Sequence, residues 1–169
     1  MFELSMGAMA ARCGLRPTLS SGNPDLSFEF EDSCVNIECK RVLSEIKIMR
    51  RLKEGVKQLE KSVQSAASNA GIVAISLSKL INPGDRFLVS DSPHDDLSQQ
   101  LHRALKMNEQ QLGRMHQPSV TGFLFYVSTA AYVPDMGYTR MNAGTVFPLN
   151  PSNPAKKSFL ERLAHALAV

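Results

Sequence analysis

The chain has 169 residues but only three cysteines, Cys13, Cys34 and Cys39, and no C-x-x-C spacing joins them. An odd number of thiols without zinc-ligand spacing fits a reducing, cytoplasmic setting better than a disulfide scaffold. Histidine is sparse too: His94, His102, His116 and His165 fall on expected helices at no metal-ligand spacing, as surface or capping residues do. No apolar run approaches the roughly 20 residues that cross a bilayer. The N-terminus has no basic stretch ahead of a hydrophobic one, so neither a membrane span nor a secretory signal is expected. Glycine-rich phosphate loops, internal repeats and low-complexity segments are also missing. The net charge is only +3, a weak indicator of partners by itself.

What the chain has is enough apolar material for one core. Hydrophobic residues make up 43% and charged residues 21%, which argues against wholesale disorder. Residues 1–169 are read as a single domain. A helix that starts two residues after Met1 is an abrupt beginning, as expected of a fragment of a longer chain or of a naturally shortened form.

The chemistry concentrates between Asn23 and Arg41, NPDLSFEFEDSCVNIECKR. Leu26, Phe28 and Phe30 alternate with polar residues, and so do Val35, Ile37 and Cys39. Strand side chains repeat every two residues, so Glu38 and Lys40 leave one face while Ile37 and Cys39 pack on the other. Cys39 therefore reads as a small buried residue rather than a nucleophile. Glu31-Asp32-Ser33 turns the two runs into a hairpin, and Asp25, after Pro24, sits at the mouth of its first strand. Two carboxylates and one ammonium then converge. Such oxygens suit a magnesium ion, which keeps several of its waters. The ion acidifies a water and offsets charge on a phosphate, and a neighbouring Lys orients the attacking water. An E-x-K triplet alone is usually a solvated strand face with an ion pair; the preceding Pro-Asp, the hairpin spacing and the flanking apolar runs favour the catalytic reading.

Pro24-Asp25, followed after a dozen residues by Glu38-Cys39-Lys40, resembles the PD-(D/E)xK nuclease superfamily. The resemblance implies an α/β, restriction endonuclease-like fold, with a central mixed sheet of about five to six strands flanked by helices. It spans roughly residues 2–80: a first helix carrying Glu3, the hairpin, a long helix, then a buried strand at 71–77. It implies phosphodiester hydrolysis with Mg2+, for which Mn2+ substitutes, and nucleic acid, by default DNA, as substrate. Asp25 and Glu38 would hold the metal, with the backbone carbonyl of Cys39 completing its sphere. Lys40 would activate water, Glu3 would assist, and Gln58 would stand near the metal, with Gln64 competing for that place. Glu3 also reads simply as a helix N-terminal charge, and either Gln as a surface amide. The same fold hosts several roles, so it indicates a reaction class rather than a pathway.

Lys and Arg outnumber Glu by eight to three between Lys40 and Lys61, a local +5 that leaves −2 for the rest of the chain. Arg41, Arg50, Arg51, Lys57 and Lys61 are thus candidate phosphate contacts, or else an ordinary solvated helix face. That helix is expected from about Ser44 to Asn69, with Met49, Leu52, Val56, Leu59 and Val63 on its apolar side and a break or bend near Gly55. Further elements follow: a strand at 15–20, an extended piece at 85–89, and a helix capped by Ser92 and running to about residue 118. A central strand at 121–133, an antiparallel strand at 138–147 and a last helix from Asn153-Pro154 complete the series. Tyr126, Tyr132, Tyr138 and Arg140 face substrate, pack, or cover a sheet edge; the sequence leaves these open. Two other classes stand beside the nuclease. One is an inactive nucleic-acid-binding module on the same fold. The other is an assembly domain, a homodimer formed through the strand from Thr121.

Overall fold

In the computed structural model, which describes residues 2–63, 69–115, 117–150 and 152–167, the two alternating runs pair as expected. Strand β2 (Leu26–Phe30) and strand β3 (Ser33–Arg41) are antiparallel, in a register that sets Leu26 opposite Ile37 and Phe30 opposite Ser33. Glu31 and Asp32 alone form the turn, both at positive φ (48° and 57°), the twist a two-residue hairpin requires. Before them come helix α1 (Phe2–Arg12) and a two-residue strand β1 (Thr18–Leu19), shorter than the expected 15–20. Gly14 closes α1 at φ 82°; Leu15 N–H reaches Ala10 O and Gly14 N–H reaches Ala11 O, a Schellman cap.

After β3, a short 3₁₀ turn at Glu45–Lys47 leads into helix α2 (Ile48–Val63), so the α-helix starts four residues later than the periodicity suggests. Gln64 and Ala66 lie outside the described residues, and Asn69, the expected helix end, instead opens strand β4 (Asn69–Ser76). Gly55 does not break α2. A Cβ there would stand 2.5 Å from Val73 Cγ1, so glycine is what lets the helix lie close against β4.

The crossover through α2 makes β4 parallel to β3. Helix α3 (Ser78–Ile81), strand β5 (Leu88–Val89), helix α4 (Pro93–Lys106) and helix α5 (Glu109–Gly113) follow. The expected helix to 118 is thus two helices. Ser92 makes no side-chain cap to α4; Ser90 Oγ instead donates to Asp96. Strand β6 (Val120–Val133) runs parallel to β4 and carries strand β7 (Gly137–Pro148) antiparallel along its whole other edge. Helix α6 (Pro154–Ala166) closes the chain, with Asn153 Oδ1 accepting the Lys156 N–H.

The seven strands form one mixed sheet, ordered β1-β2-β3-β4-β6-β5 with β7 also on β6. This is one or two strands more than expected. Helices α1 and α6 cover one face through Phe2, Met6, Leu160 and Leu163. Helices α2, α4 and α5 cover the other through Leu52, Leu59, Leu101 and Leu112. Strands β4 and β5 pair along one edge of β6 and β7 along the other, and the apolar residues from Phe123 to Val127 lie buried in the core. No helix among the described residues is long and apolar enough to cross a membrane.

Candidate active site

Pleating places Val35, Ile37 and Cys39 on the α1 side of β3, while Glu38 and Lys40 project toward α2. The paired part of β2 ends at Leu26, opposite Ile37, so the next inward N–H of β3 loses its ladder partner. The Asp25 carboxylate takes that place: its Oδ2 accepts the Cys39 N–H at 2.8 Å. The loop before it contains a cis Asn23-Pro24 peptide. A local device, one carboxylate finishing a ladder, thereby fixes Asp25 beside the E-x-K strand.

The three expected groups do meet. Lys40 Nζ contacts Glu38 Oε1, lies 4.0 Å from Asp25 Oδ2, and is 3.3 Å from the Cys39 carbonyl oxygen. Glu38 is 1% exposed, and its second oxygen, Oε2, is buried without a hydrogen-bond partner. Burial pushes the Glu38 carboxyl above the usual Glu range, Lys40 pulls it down, and the Asp25 carboxylate adds to the rise. A buried carboxylate with one oxygen unmatched is unusual in a native structure. Burial also pushes the Cys39 thiol far up, with Asp25, Glu3 and Glu38 adding to it, so the thiol is no nucleophile.

Hard-cation chemistry fits this donor set. Asp25, Glu38 and the Cys39 carbonyl offer oxygens on one side of the hairpin, and Glu38 Oε2 has an unused lone pair. Among the described residues no three or more His, Cys, Asp or Glu are grouped so as to hold a metal ion; the set here is two carboxylates and a main-chain carbonyl. Magnesium is commonly held by one or two carboxylates and completed by waters and substrate oxygens.

The remaining expected residues fall elsewhere. Glu3 sits on the α1 side of β3, where its carboxylate acts on the Cys39 thiol and on Arg41. Gln58 Nε2 donates to Asn23 Oδ1 at 3.2 Å, so it braces the loop that carries Asp25. Arg50 and Arg51 both bind the Glu54 carboxylate, at 2.9 and 2.7 Å, which offsets part of the local positive charge. Lys57 and Lys61 are exposed on α2, and Arg41 is exposed at the end of β3 on the opposite face from Lys40. Of the histidines, His94 meets the Asn142 carbonyl and His102 the Ser98 carbonyl, while His116 lies outside the described residues. Two features went unread in the sequence. One is Asn23, the partner of Gln58. The other is a polar cavity bordered by Ser76, Ser78 and Ser128, for which the only signal was hydroxyls interrupting two apolar runs. Comparison with protein-family models, with curated proteins and with solved structures finds no match for this chain in any of the three.

Proposed function

We propose that this protein is a metal-dependent nuclease of the PD-(D/E)xK kind, on a restriction endonuclease-like fold, hydrolysing phosphodiester bonds in nucleic acid with DNA as the default substrate. The observation that carries this reading is the convergence of Asp25, Glu38 and Lys40, with the second Glu38 oxygen buried and unpartnered. The chain order supports it: a helix, an antiparallel hairpin with the carboxylates, a crossover helix, then a buried strand parallel to the E-x-K strand.

Asp25, Glu38 and the Cys39 carbonyl are the residues that would hold Mg2+, with Mn2+ able to substitute. When bound, the ion would offset charge on the scissile phosphate and make water easier to deprotonate. Lys40 would stand where negative charge develops and orient the attacking water. The Cys39 N–H holds Asp25 at a fixed height along β3. Gln58, through Asn23, restrains the loop ahead of Asp25. Exposed Lys57 and Lys61, on the helix that covers the Lys40 face of the sheet, would supply backbone-phosphate contacts.

One observation favours a second reading. Lys40 is closed directly onto Glu38, as in a structural ion pair, and that suits a nucleic-acid-binding module without activity. A plasmid-cutting assay separates the two. With Mg2+ or Mn2+ the wild type is expected to cut, chelation to stop it, and Asp25→Ala or Lys40→Ala to abolish cutting while far-UV circular dichroism stays native. Undiminished cutting by purified Lys40→Ala protein removes the catalytic assignment. A salt-sensitive gel shift without cutting selects the binding module.

A further inference from the structure

The opposite face of the sheet carries a second polar surface. Directly paired residues share a face, as do alternate residues along a strand. The register therefore lines up Arg41, Ser76 and Tyr126 in one row, Ser128 with Asn142 in the next, Ala130 with Arg140, and Tyr132 with Tyr138 at the far end. A cavity of about 400 Å³ opens over the first of these rows, beside Phe2 at the start of α1. Its size falls within the roughly 300–1,000 Å³ of ligand sites.

The walls of this cavity suit an anion. Arg41, Lys79 and Arg140 line it together with Asp85, which pairs with Lys79, while Glu3 on the nearby α1 acts on Arg41. Arg41 and Arg140 are exposed. Ser76 Oγ donates to Ser78 Oγ, which itself accepts the Ser128 N–H at 2.9 Å. Ser128 Oγ, on the same wall, is buried without a hydrogen-bond partner.

Beyond the cavity the same face becomes aromatic. Tyr138 is 74% exposed, Phe87 57% and Tyr132 36%. Their rings brace one another, with centroids 5.0 Å apart for Phe87 and Tyr138 and 5.1 Å for Tyr132 and Tyr138. Arg140 lies two residues along β7 from Tyr138, between the aromatics and the cavity.

We propose that this face binds an unpaired nucleic-acid strand, holding a backbone phosphate in the cavity and stacking bases on Phe87, Tyr138 and Tyr132. The inference takes its polyanion from the nuclease reading and narrows it to single-stranded segments. In a duplex the base faces are already stacked on one another; in a free strand each offers a face to an exposed ring, whatever its sequence. Arg41 connects the two regions, since it follows Lys40 in β3 and borders the cavity from the other side.

The test measures fluorescence anisotropy of a labelled oligo-dT strand and of a labelled hairpin duplex, with Lys40→Ala protein in EDTA so that cutting cannot consume the probe. The strand is expected to bind at least tenfold more tightly than the duplex. Tyr138→Ala and Phe87→Ala should each weaken strand binding about tenfold, and Arg140→Ala should weaken it while flattening its salt dependence. Both rings are exposed, and circular dichroism checks that the variants stay folded. Equal or tighter duplex binding overturns the inference, as does unchanged strand affinity in the Phe87→Ala, Tyr138→Ala double variant. A self-associated protein that these substitutions merely dissociate, with no effect on the strand, also overturns it. Plasmid cutting by the wild type is scored separately. Cutting by the wild type without aromatic-dependent strand binding sinks this inference alone, and strand binding without cutting sinks the nuclease reading alone.

Discussion

Gly55→Ala tests the contact that sets the depth of α2 over the site. In an ordinary helix interior this change stabilises by about 1 kcal/mol. Here the new Cβ would lie 2.5 Å from Val73 Cγ1 and 3.2 Å from Cγ2. Val73 is fully buried in β4, directly opposite Glu38 in register, and its branched side chain has little rotamer freedom with which to yield. Overpacking of this kind costs about 1–3 kcal/mol. Steric strain therefore outweighs the propensity gain, and the net expectation is a loss of about 1 kcal/mol, a fall in Tm of about 2–4 °C for a chain of this length. Val73→Ala removes both methyls. In that background Gly55→Ala should change sign and stabilise by up to about 1 kcal/mol. Urea unfolding of the wild type, both single variants and the double variant closes the cycle, with an expected coupling of about 2 kcal/mol. Coupling within about 0.3 kcal/mol of zero, or a clear gain from Gly55→Ala with Val73 in place, refutes the reasoning.

Two further outcomes follow from charge placement. Replacing Glu38 and Lys40 together by Leu and Met should raise the midpoint of urea unfolding, since exchanging a buried ion pair for apolar groups is often neutral or stabilising by about 1–4 kcal/mol; a double variant less stable than wild type would show that the pair holds the fold. The second concerns Glu31, whose carboxylate accepts from Arg162 Nε and Nη2 at 2.8 and 2.7 Å. The Arg162 guanidinium holds the Glu31 carboxyl below its ordinary value of 4.5. A depressed folded-state value stabilises the fold above about pH 4.5 and is lost as pH falls through the lower, folded value. The stability gap between wild type and Arg162→Ala should then be present at pH 6 and close on acidification toward pH 3; a gap that stays constant over that range contradicts the assignment.

Much of the hairpin was legible because strand alternation is a local signal. Leu26, Phe28, Val35 and Ile37 sort onto one face, and that alone puts Glu38 and Lys40 on the other. The central strand β6 and the last helix with its Asn153 cap were equally readable, one from an apolar run and the other from capping chemistry. Harder to see was anything set by tertiary approach. Gly55 reads as a helix weakness until Val73 is placed beneath it. The helix expected to continue past Met107 stops there, and its periodic leucines resume in α5. The role of Glu3 came only from the family resemblance; the structure packs α1 on the Cys39 side of β3, where the Glu3 carboxylate acts on Cys39 and Arg41. The row joining Arg41, Ser76 and Tyr126 depends on the register between three strands distant in sequence, which no local pattern encodes.

The tether between Cys39 N–H and Asp25 has an evolutionary corollary. Because the donor is main chain, position 39 can change side chain freely without loosening the acid that leans on it, provided the newcomer is not proline. Variation there is filtered by the room beside Ile37 and α1, and not by the chemistry on the reverse side of the strand. A library randomised at codon 39 should accordingly return small apolar residues of many kinds, all with Asp25 still in place, and no imino acid among them.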